Sequence, residues 1–288
     1  MLRARTTAIA AAYAIAAVAA VTAGCGGGAT GQALALDPVA AAATKTQDAG
    51  AARIRLALAV SSPQLPGKTV RVRAAGAIDG SNGEMTFVTP ATLPLLGHAS
   101  LKEISLEQSG NYIVYVRLGA LASYLPGGKQ WVKLDVSKLG SSSGLDVTKL
   151  LAGSQLEPTD LLSLLKADGA TIHKVGSATI DGTATTHYHV TVDVAKALQA
   201  KGLTSPLLAD MAAQLPKVPE DVWIGNDGLV RRVQVSYGLT RSGRSMHVGM
   251  TMNLYDYGAH VAIAAPPQGE VFDATQLAQS GIGSALLH

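Results

Sequence analysis

The sequence predicts an α+β domain built on a large antiparallel sheet, and three observations carry that prediction. Apolar and polar residues alternate with period two along many stretches, which is typical of strands with one buried and one solvated face. Turn signals such as Asp181-Gly182 and Asn226-Asp227-Gly228 separate these stretches, as in hairpins. Apolar residues make up 48% of the chain, a composition typical of globular rather than disordered proteins.

The first 25 residues contain two arginines, an apolar run and a terminal cysteine. Arg3 and Arg5 precede an apolar run from Ala8 to Ala23, a pattern typical of a secretory signal. The run is about four residues shorter than the ~20 that a membrane-spanning helix needs. Cys25 is the chain's only cysteine, so an intramolecular disulfide is excluded. It follows Val21-Thr22-Ala23-Gly24, which resembles a lipobox, and we therefore expect Cys25 to be acylated at the outer face of the cytoplasmic membrane.

Signal removal also changes the charge balance and sets the domain limits. Without residues 1–24 the chain has 288 − 24 = 264 residues, and Lys plus Arg falls from 23 to 21 against 20 acidic residues. This near-neutral balance gives no indication of a nucleic-acid partner. Residues 25–36 are Gly-rich at their start and are predicted to form a flexible tether. Residues 37–288 are predicted to form a single domain with a weakly structured C-terminal tail.

The first half of the domain is predicted to be one helix followed by strands. Asp37-Pro38 is typical of a helix start, and Gly50 of an end. Pro90 to Ala99 is an apolar loop that either packs down or rims an opening. Trp131 and Trp223 are predicted core anchors. The strands expected here run over Arg53 to Val60, Val70 to Ala74, Glu84 to Thr89, Leu101 to Gln108, Tyr112 to Arg117 and Gln130 to Val136.

Four arginines share the polar side of the first predicted hairpin, where like charges are mildly unfavourable. They are Arg53, Arg55, Arg71 and Arg73. The favoured interpretation is a solvated face paired with nearby acids such as Glu84. The alternative is attraction of anionic lipid headgroups, worth about 1 kcal/mol per cation near an anionic leaflet.

The middle of the chain is predicted to supply helices that cover the sheet, around a hairpin of Thr171 to Ile180 and Thr183 to Val194. The predicted helices are Pro158 to Leu165, Ala195 to Ala200 and Ser205 to Leu215. Their apolar stripes suit a lid, for which the candidate residues are Leu161, Leu165, Leu208 and Met211.

One constellation has the spacing of a metal site. Alternation places His187, His189, Thr191 and Asp193 on one face of a strand, but zinc needs three or four converging ligands. A two-residue turn at Asp181-Gly182 would place Lys174 opposite His189 and Gly176 opposite His187, so neither neighbour adds a ligand. No cofactor is expected, and the sequence has no nucleophile elbow, His-Glu-x-x-His motif or phosphate loop.

The stretch from Pro219 to Tyr257 carries a family resemblance. A Val-Trp-Ile strand, an acidic-Gly turn, a strand of basic and β-branched residues and a Met-rich strand end in Tyr255-Asp-Tyr-Gly258, followed by Val261 to Pro266. This order resembles the C-terminal half of the LppX/LprAFG lipoproteins, relatives of the LolA lipoprotein carrier, and the resemblance covers roughly Asp37 to Phe272. It implies a curved antiparallel sheet forming a half-barrel, with helices over the concave face and an apolar cavity for acyl chains between them.

The leading hypothesis is therefore a lipoprotein that binds lipid or lipoglycan acyl chains and carries or presents them. Alternation assigns the expected lining to Ile54, Leu56, Leu58, Val70, Val72, Val190, Val192, Val233, Val235, Met246, Val248, Met250 and Met252. The same pattern fits a filled core, so a tethered structural or interaction module stays an alternative. A metal-dependent envelope hydrolase using His187 and His189 is the third. A membrane transporter as a further partner stays open, and no catalytic residue is assigned.

Overall fold

A computed structural model describes residues 38–65, 67–88, 100–138, 170–200, 212–213, 217–241 and 244–279. The strands in these ranges are β1 Ala52–Ser61, β2 Thr69–Asp79, β3 Asn82–Val88, β4 Ser100–Gln108, β5 Asn111–Arg117, β6 Trp131–Asp135, β7 Thr171–Ile180, β8 Thr183–Asp193, β9 Lys217–Gly225, β10 Val230–Arg241, β11 Arg244–Tyr255 and β12 Val271–Asp273. The helices are α1 Pro38–Asp48, α2 Val194–Ala200 and α3 Thr275–Gln279, with short 3₁₀ turns after β5, β6 and before β12.

All twelve strands belong to one unclosed sheet. Their order is β12-β6-β5-β4-β3-β2-β1-β11-β10-β9-β8-β7, so β12 and β7 are its edges. Two meanders, β1 to β6 and β7 to β11, meet where β1 pairs with β11. Along β1, β2 and β8 to β11, the alternating apolar residues therefore share one side of the sheet, whereas Ile104 on β4 faces the opposite side from Met85 on β3.

The predicted purely antiparallel sheet is wrong at one edge. β12 pairs with β6 in parallel, with Phe272 opposite Val132, so the sheet is mixed. The chain leaves β11 at Tyr255 and returns to the far edge of the sheet through residues 256–270, which fixes the direction of β12. Lys133 and Asp273 form an ion pair of 2.9 Å beside this short ladder. Past Asp273, α3 packs against β6.

The sheet is curved, and one ion pair demonstrates the bending. Arg55 on β1 and Asp181 at the tip of the β7–β8 hairpin approach to 2.7 Å. Three strands (β11, β10 and β9) lie between β1 and β8, and in a flat sheet these two strands would be about 19 Å apart. That separation exceeds the reach of an arginine and an aspartate side chain, so the sheet bends.

The main core lies on one face of the sheet, under α1. The buried side of this helix, including Val39, Ala42 and Ala43, packs with side chains of β1, β3 and β8 to β11. Thr46 anchors the helix, because its hydroxyl accepts a hydrogen bond of 2.9 Å from the N–H of Val230. Val230 precedes a β-bulge at the start of β10, where the regular ladder is interrupted. A second, smaller core around Ile104 and Trp131 lies under β4 to β6.

Several predicted features fall outside the described residues. They are the signal peptide and tether (residues 1–36), Cys25, the apolar loop from Pro90 to Ala99, and the lid candidates Leu161, Leu165, Leu208 and Met211. The predicted helices that begin at Pro38 and Ala195 are confirmed as α1 and α2. Within the ranges that are described, no helix has the length and hydropathy needed to cross a bilayer.

Candidate functional site

The predicted lining residues all lie on the face of the sheet that carries the main core. Cross-strand pairing places Leu56 opposite Met252, which lies opposite Val233, and places Val60 opposite Val248. We call this side of β1, β2 and β8 to β11 the apolar face. Its predicted members are Ile54, Leu56, Leu58, Val70, Val72, Val190, Val192, Val233, Val235, Met246, Val248, Met250 and Met252.

Burial divides the apolar face into a closed part and an open part. Near α1, Val233 and Met252 are 0% exposed, so this part is filled core. Further along the same strands, apolar side chains are only partly buried and form what we call the open patch. Its members are Val72, Tyr237, Met246, Val248 and Met250. Unbranched, polarisable Met side chains at such a surface adapt to ligands of irregular shape.

One residue breaks the apolar face. Glu220 on β9 lies between Val190 on β8 and Val235 on β10, and it is only 3% exposed. Its Oε2 has no hydrogen-bond partner among the described residues. It belongs to a cross-strand row that crosses seven strands and is otherwise apolar. The row runs Ile172, Val190, Glu220, Val235, Met250, Leu58 and Val72.

The surroundings of Glu220 change its acidity. Burial removes water from the carboxyl and raises its pKa from the ordinary 4.5 to about 8. At neutral pH the neutral acid therefore predominates, which has one O–H to donate and one carbonyl oxygen to accept. A neutral carboxyl is chemically suited to hydrogen-bond an uncharged oxygen of a ligand.

Glu220 is the functional candidate that the sequence analysis missed. The signal was present, since period-two alternation along Glu220, Val222 and Ile224 puts a carboxyl on the same side as two buried aliphatic residues. The neighbouring acid Asp221 faces the opposite side of the sheet. The strand phase alone therefore separates the two adjacent acids, with Glu220 on the buried side and Asp221 on the polar side.

On the opposite, polar face, two histidines share one carboxylate. The Nε2 of His187 lies 2.8 Å and the Nδ1 of His189 lies 3.0 Å from Oδ1 of Asp221. Trp223 stacks on His187 with ring centroids 4.3 Å apart, and Arg232 lies over the indole. The predicted core position of Trp223 is therefore wrong, because its strand phase puts it on the other face of the sheet from the buried Val222 and Ile224. Trp131 is buried as predicted.

The structure does not assemble the metal site that the spacing suggested. Asp193 lies away from the histidines, and its Oδ1 accepts the N–H of Lys196 at the start of α2. Within the described ranges, no three His, Cys, Asp or Glu residues are grouped to hold a metal ion. The predicted pairing of Lys174 with His189 is wrong. A bulge between Lys174 and Gly176 shifts the register, so His189 faces His173 while His187 faces Gly176 as predicted.

The arginines of the first hairpin fall into two groups. Arg53 lies 3.6 Å from Asp256, and Arg55 pairs with Asp181 and stacks over Tyr255. The acid expected to pair with these arginines, Glu84, instead pairs with Lys102. Arg71 and Arg73 are exposed on β2, opposite Ala59 and Ala57.

A cleft of about 190 Å³ opens where the β7–β8 hairpin tip meets β1 and β11. Its lining includes Arg55, Asp181 and Arg231. The arginines are already paired, Arg55 with Asp181 and Arg231 with Asp227, and the guanidinium of Arg231 also stacks over Tyr257. Both arginines of the cleft are thus held in ion pairs within the protein, and the apolar face is the stronger candidate site.

Comparisons with known proteins give one sequence relative and several similar structures. No family model matches the sequence. An uncharacterized 31.2 kDa protein of Streptomyces griseus, from the rplA-rplJ intergenic region, is 29% identical over 234 residues, which cover 75% of this chain and 73% of that protein.

Three solved structures illustrate the structural similarity. LppX of Mycobacterium tuberculosis is 17% identical and covers 79% of this chain and 100% of its own, with a TM-score of 0.36. LprF of Mycobacterium bovis is 14% identical over 80% and 95%, with a TM-score of 0.33. A LolA superfamily protein of Nitrosomonas europaea is 11% identical over 78% and 95%, with a TM-score of 0.27. The solved structures that this chain is similar to thus include the LppX, LprF and LolA-type proteins that its sequence resembles.

Proposed function

We propose that this protein is an envelope lipoprotein that binds the acyl chains of lipids or lipoglycans against its apolar face and carries or presents them. Acylated Cys25 would hold it at the outer face of the cytoplasmic membrane. In this proposal the curved sheet forms a half-barrel, and the helices predicted between β6 and β9 cover its concave side.

The observation that carries the proposal is the open patch. Met246, Val248 and Met250 follow one another on β11, face the same side as the main core, and are only partly buried. Such partly buried apolar side chains, which extend a core without being covered, are typical of a surface that binds an apolar ligand. Each CH₂ group that a ligand buries there contributes roughly 0.8 kcal/mol, so affinity grows with the length of chain that the protein buries.

A fluorescent fatty-acid displacement assay tests the proposal. We would use the mature chain, residues 25–288, with Cys25→Ser so that no acyl group of its own competes. Saturable binding of the probe is expected, together with co-purifying lipid in native mass spectrometry. A folded protein that binds no probe and carries no lipid would reject the proposal in favour of the tethered module with a filled core.

Two adjacent residues of β11 provide a matched pair of variants. Met250→Lys places a charge in the open patch and should weaken probe binding by more than about tenfold, because a bound chain would then meet an unpaired cation. Thr251→Lys places the same charge on the polar face and should leave the affinity unchanged. Met250→Leu keeps the apolar area and should bind nearly as the parent does. Equal losses in both lysine variants would contradict the assignment of the binding face.

A further inference from the structure

We infer that Glu220 is the polar contact of this lipid site and that its carboxyl hydrogen-bonds an uncharged ester or hydroxyl oxygen of the bound lipid. This inference rests on the proposed function and adds the part of the ligand that lies beside β9. It makes Glu220 the residue that selects lipids with oxygen near the chain over plain hydrocarbon.

The position of Glu220 is the first support. It stands in the row that includes Met250 of the open patch, with the buried Val235 of β10 between them, so a chain that enters the core from the patch along this row reaches Glu220 next. On the far side of Glu220, Val190 is 0% exposed and faces Ile172 on the edge strand β7. A ligand that follows the row therefore has apolar contacts along its chain and one polar group near its end.

The unsatisfied oxygen is the second support. A buried polar atom without a hydrogen bond destabilises the folded protein, and such atoms in native proteins usually have a specific reason. Glu220 Oε2 is such an atom, as no described residue bonds it. An oxygen of a bound lipid would remove this cost, so ligands that supply one gain affinity.

The chemistry of the surroundings selects the kind of oxygen. The row around Glu220 contains valine, methionine and leucine, and no described cation pairs with its carboxyl. A phosphate or carboxylate placed there would have no countercharge and would lose its hydration. An ester carbonyl or a hydroxyl needs only the O–H or C=O that a neutral carboxyl offers.

Competition with four sixteen-carbon ligands tests the inference on the Cys25→Ser mature chain. Methyl palmitate and hexadecanol carry an uncharged oxygen, hexadecane carries none, and palmitate at pH 6.5, where Glu220 keeps its proton, is an anion. We expect the parent to bind the ester or the alcohol about five- to tenfold tighter than hexadecane, the gain from one net hydrogen bond in an apolar site. Palmitate should bind no more tightly than the ester.

Two variants separate a ligand contact from a structural role. Glu220→Leu should bind the ester and the alcohol about five- to tenfold more weakly and bind hexadecane as tightly as the parent or tighter. Glu220→Gln keeps a donor and an acceptor and should keep the preference for oxygen. Thermal unfolding verifies that both variants are folded. If Glu220→Leu does not fold, the preference of Glu220→Gln for the ester over hexadecane still tests the inference.

The outcomes that would overturn the inference are distinct from failure of the proposed function. If the parent binds all four ligands without preference, or if both Glu220 variants lose affinity for hexadecane and ester equally, Glu220 is not a ligand contact although the protein binds lipid. If the parent binds none of the ligands, the proposed function fails, and this inference fails with it.

Discussion

At the scale of single residues, Glu220 should make the stability of this protein depend on pH. Its pKa is raised by burial to about 8 in the folded protein, against 4.5 for a solvated carboxyl. The folded state therefore holds a proton that the unfolded chain has lost between these two values. Stability should fall as pH rises from about 4.5 to about 8, and level off above.

Glu220→Gln removes this dependence because an amide does not ionise in this range. The variant should match the parent in free energy of unfolding at pH 5 and exceed it on the order of 3 kcal/mol at pH 8. Urea unfolding at several pH values measures the difference. Glu107→Gln, at an exposed position of β4, should follow the parent profile. Parallel profiles for the parent and Glu220→Gln would show that the carboxyl stays solvated.

Single residues also show where sequence analysis reaches its limit. Alternation placed all thirteen predicted lining residues on one face, because strand phase depends only on local sequence. The same reasoning did not distinguish filled core at Met252 from open surface at Met250, since that depends on what the rest of the chain places above each residue. The core prediction for Trp223 is wrong because it rests on residue type, whereas strand phase decides which face the side chain occupies.

At the scale of elements, α1 should depend on the hydrogen bond between Thr46 and the bulge of β10. Thr46→Val keeps the shape of the side chain but leaves the buried N–H of Val230 without its acceptor. The expected loss is about 1 to 3 kcal/mol of unfolding free energy, measured by urea denaturation. Thr44→Val serves as the control, because Thr44 is exposed on the same helix and its hydroxyl donates to the Ala40 carbonyl. Equal effects of both variants would remove the anchoring role of Thr46.

The contact between β2 and β3 should tolerate no side chain at Gly76. A Cβ atom there would lie 1.8 Å from the carbonyl oxygen of Glu84, so the two strands would have to separate. Gly76→Ala should lower the free energy of unfolding by at least about 2 kcal/mol. Gly249→Ala on β11 meets no atom within 4 Å and should be neutral or slightly stabilising. Similar melting temperatures for both variants would contradict this packing.

The hairpins show which element-level features the sequence encodes. Asp181-Gly182 was predicted as a two-residue turn, and both residues have positive φ, 47° and 82°, as a type I′ turn requires. The bulge at Val175 in the preceding strand carries no such local signal, and it alone shifts the partner of His189. The parallel pairing of β12 likewise depends on the distant β6 and has no local signature.

At the scale of the whole molecule, the membrane anchor is the prediction with the widest consequence. If Cys25 is acylated, an alkyne-bearing fatty acid fed to producing cells should label the parent and leave Cys25→Ser unlabelled. Gly26→Ser, one residue further on, should be labelled like the parent. Label retained by Cys25→Ser, or missing from the parent, would contradict lipidation at this residue and leave the tether without a membrane attachment.

The seam between β1 and β11 has a consequence for how the chain reaches its folded state. The nine facing pairs from Arg53 with Tyr255 to Ser61 with His247 join segments about two hundred residues apart, and pairings of such separation form slowly. The chain is synthesised and exported from its N-terminus. The edge of β1 in the first meander therefore stays unpaired until nearly nine-tenths of the chain, up to the end of β11, is available. During that interval the unpaired edge of β1 can pair with strands of other chains. A chaperone that shields this edge would therefore have to act before β10 and β11 form.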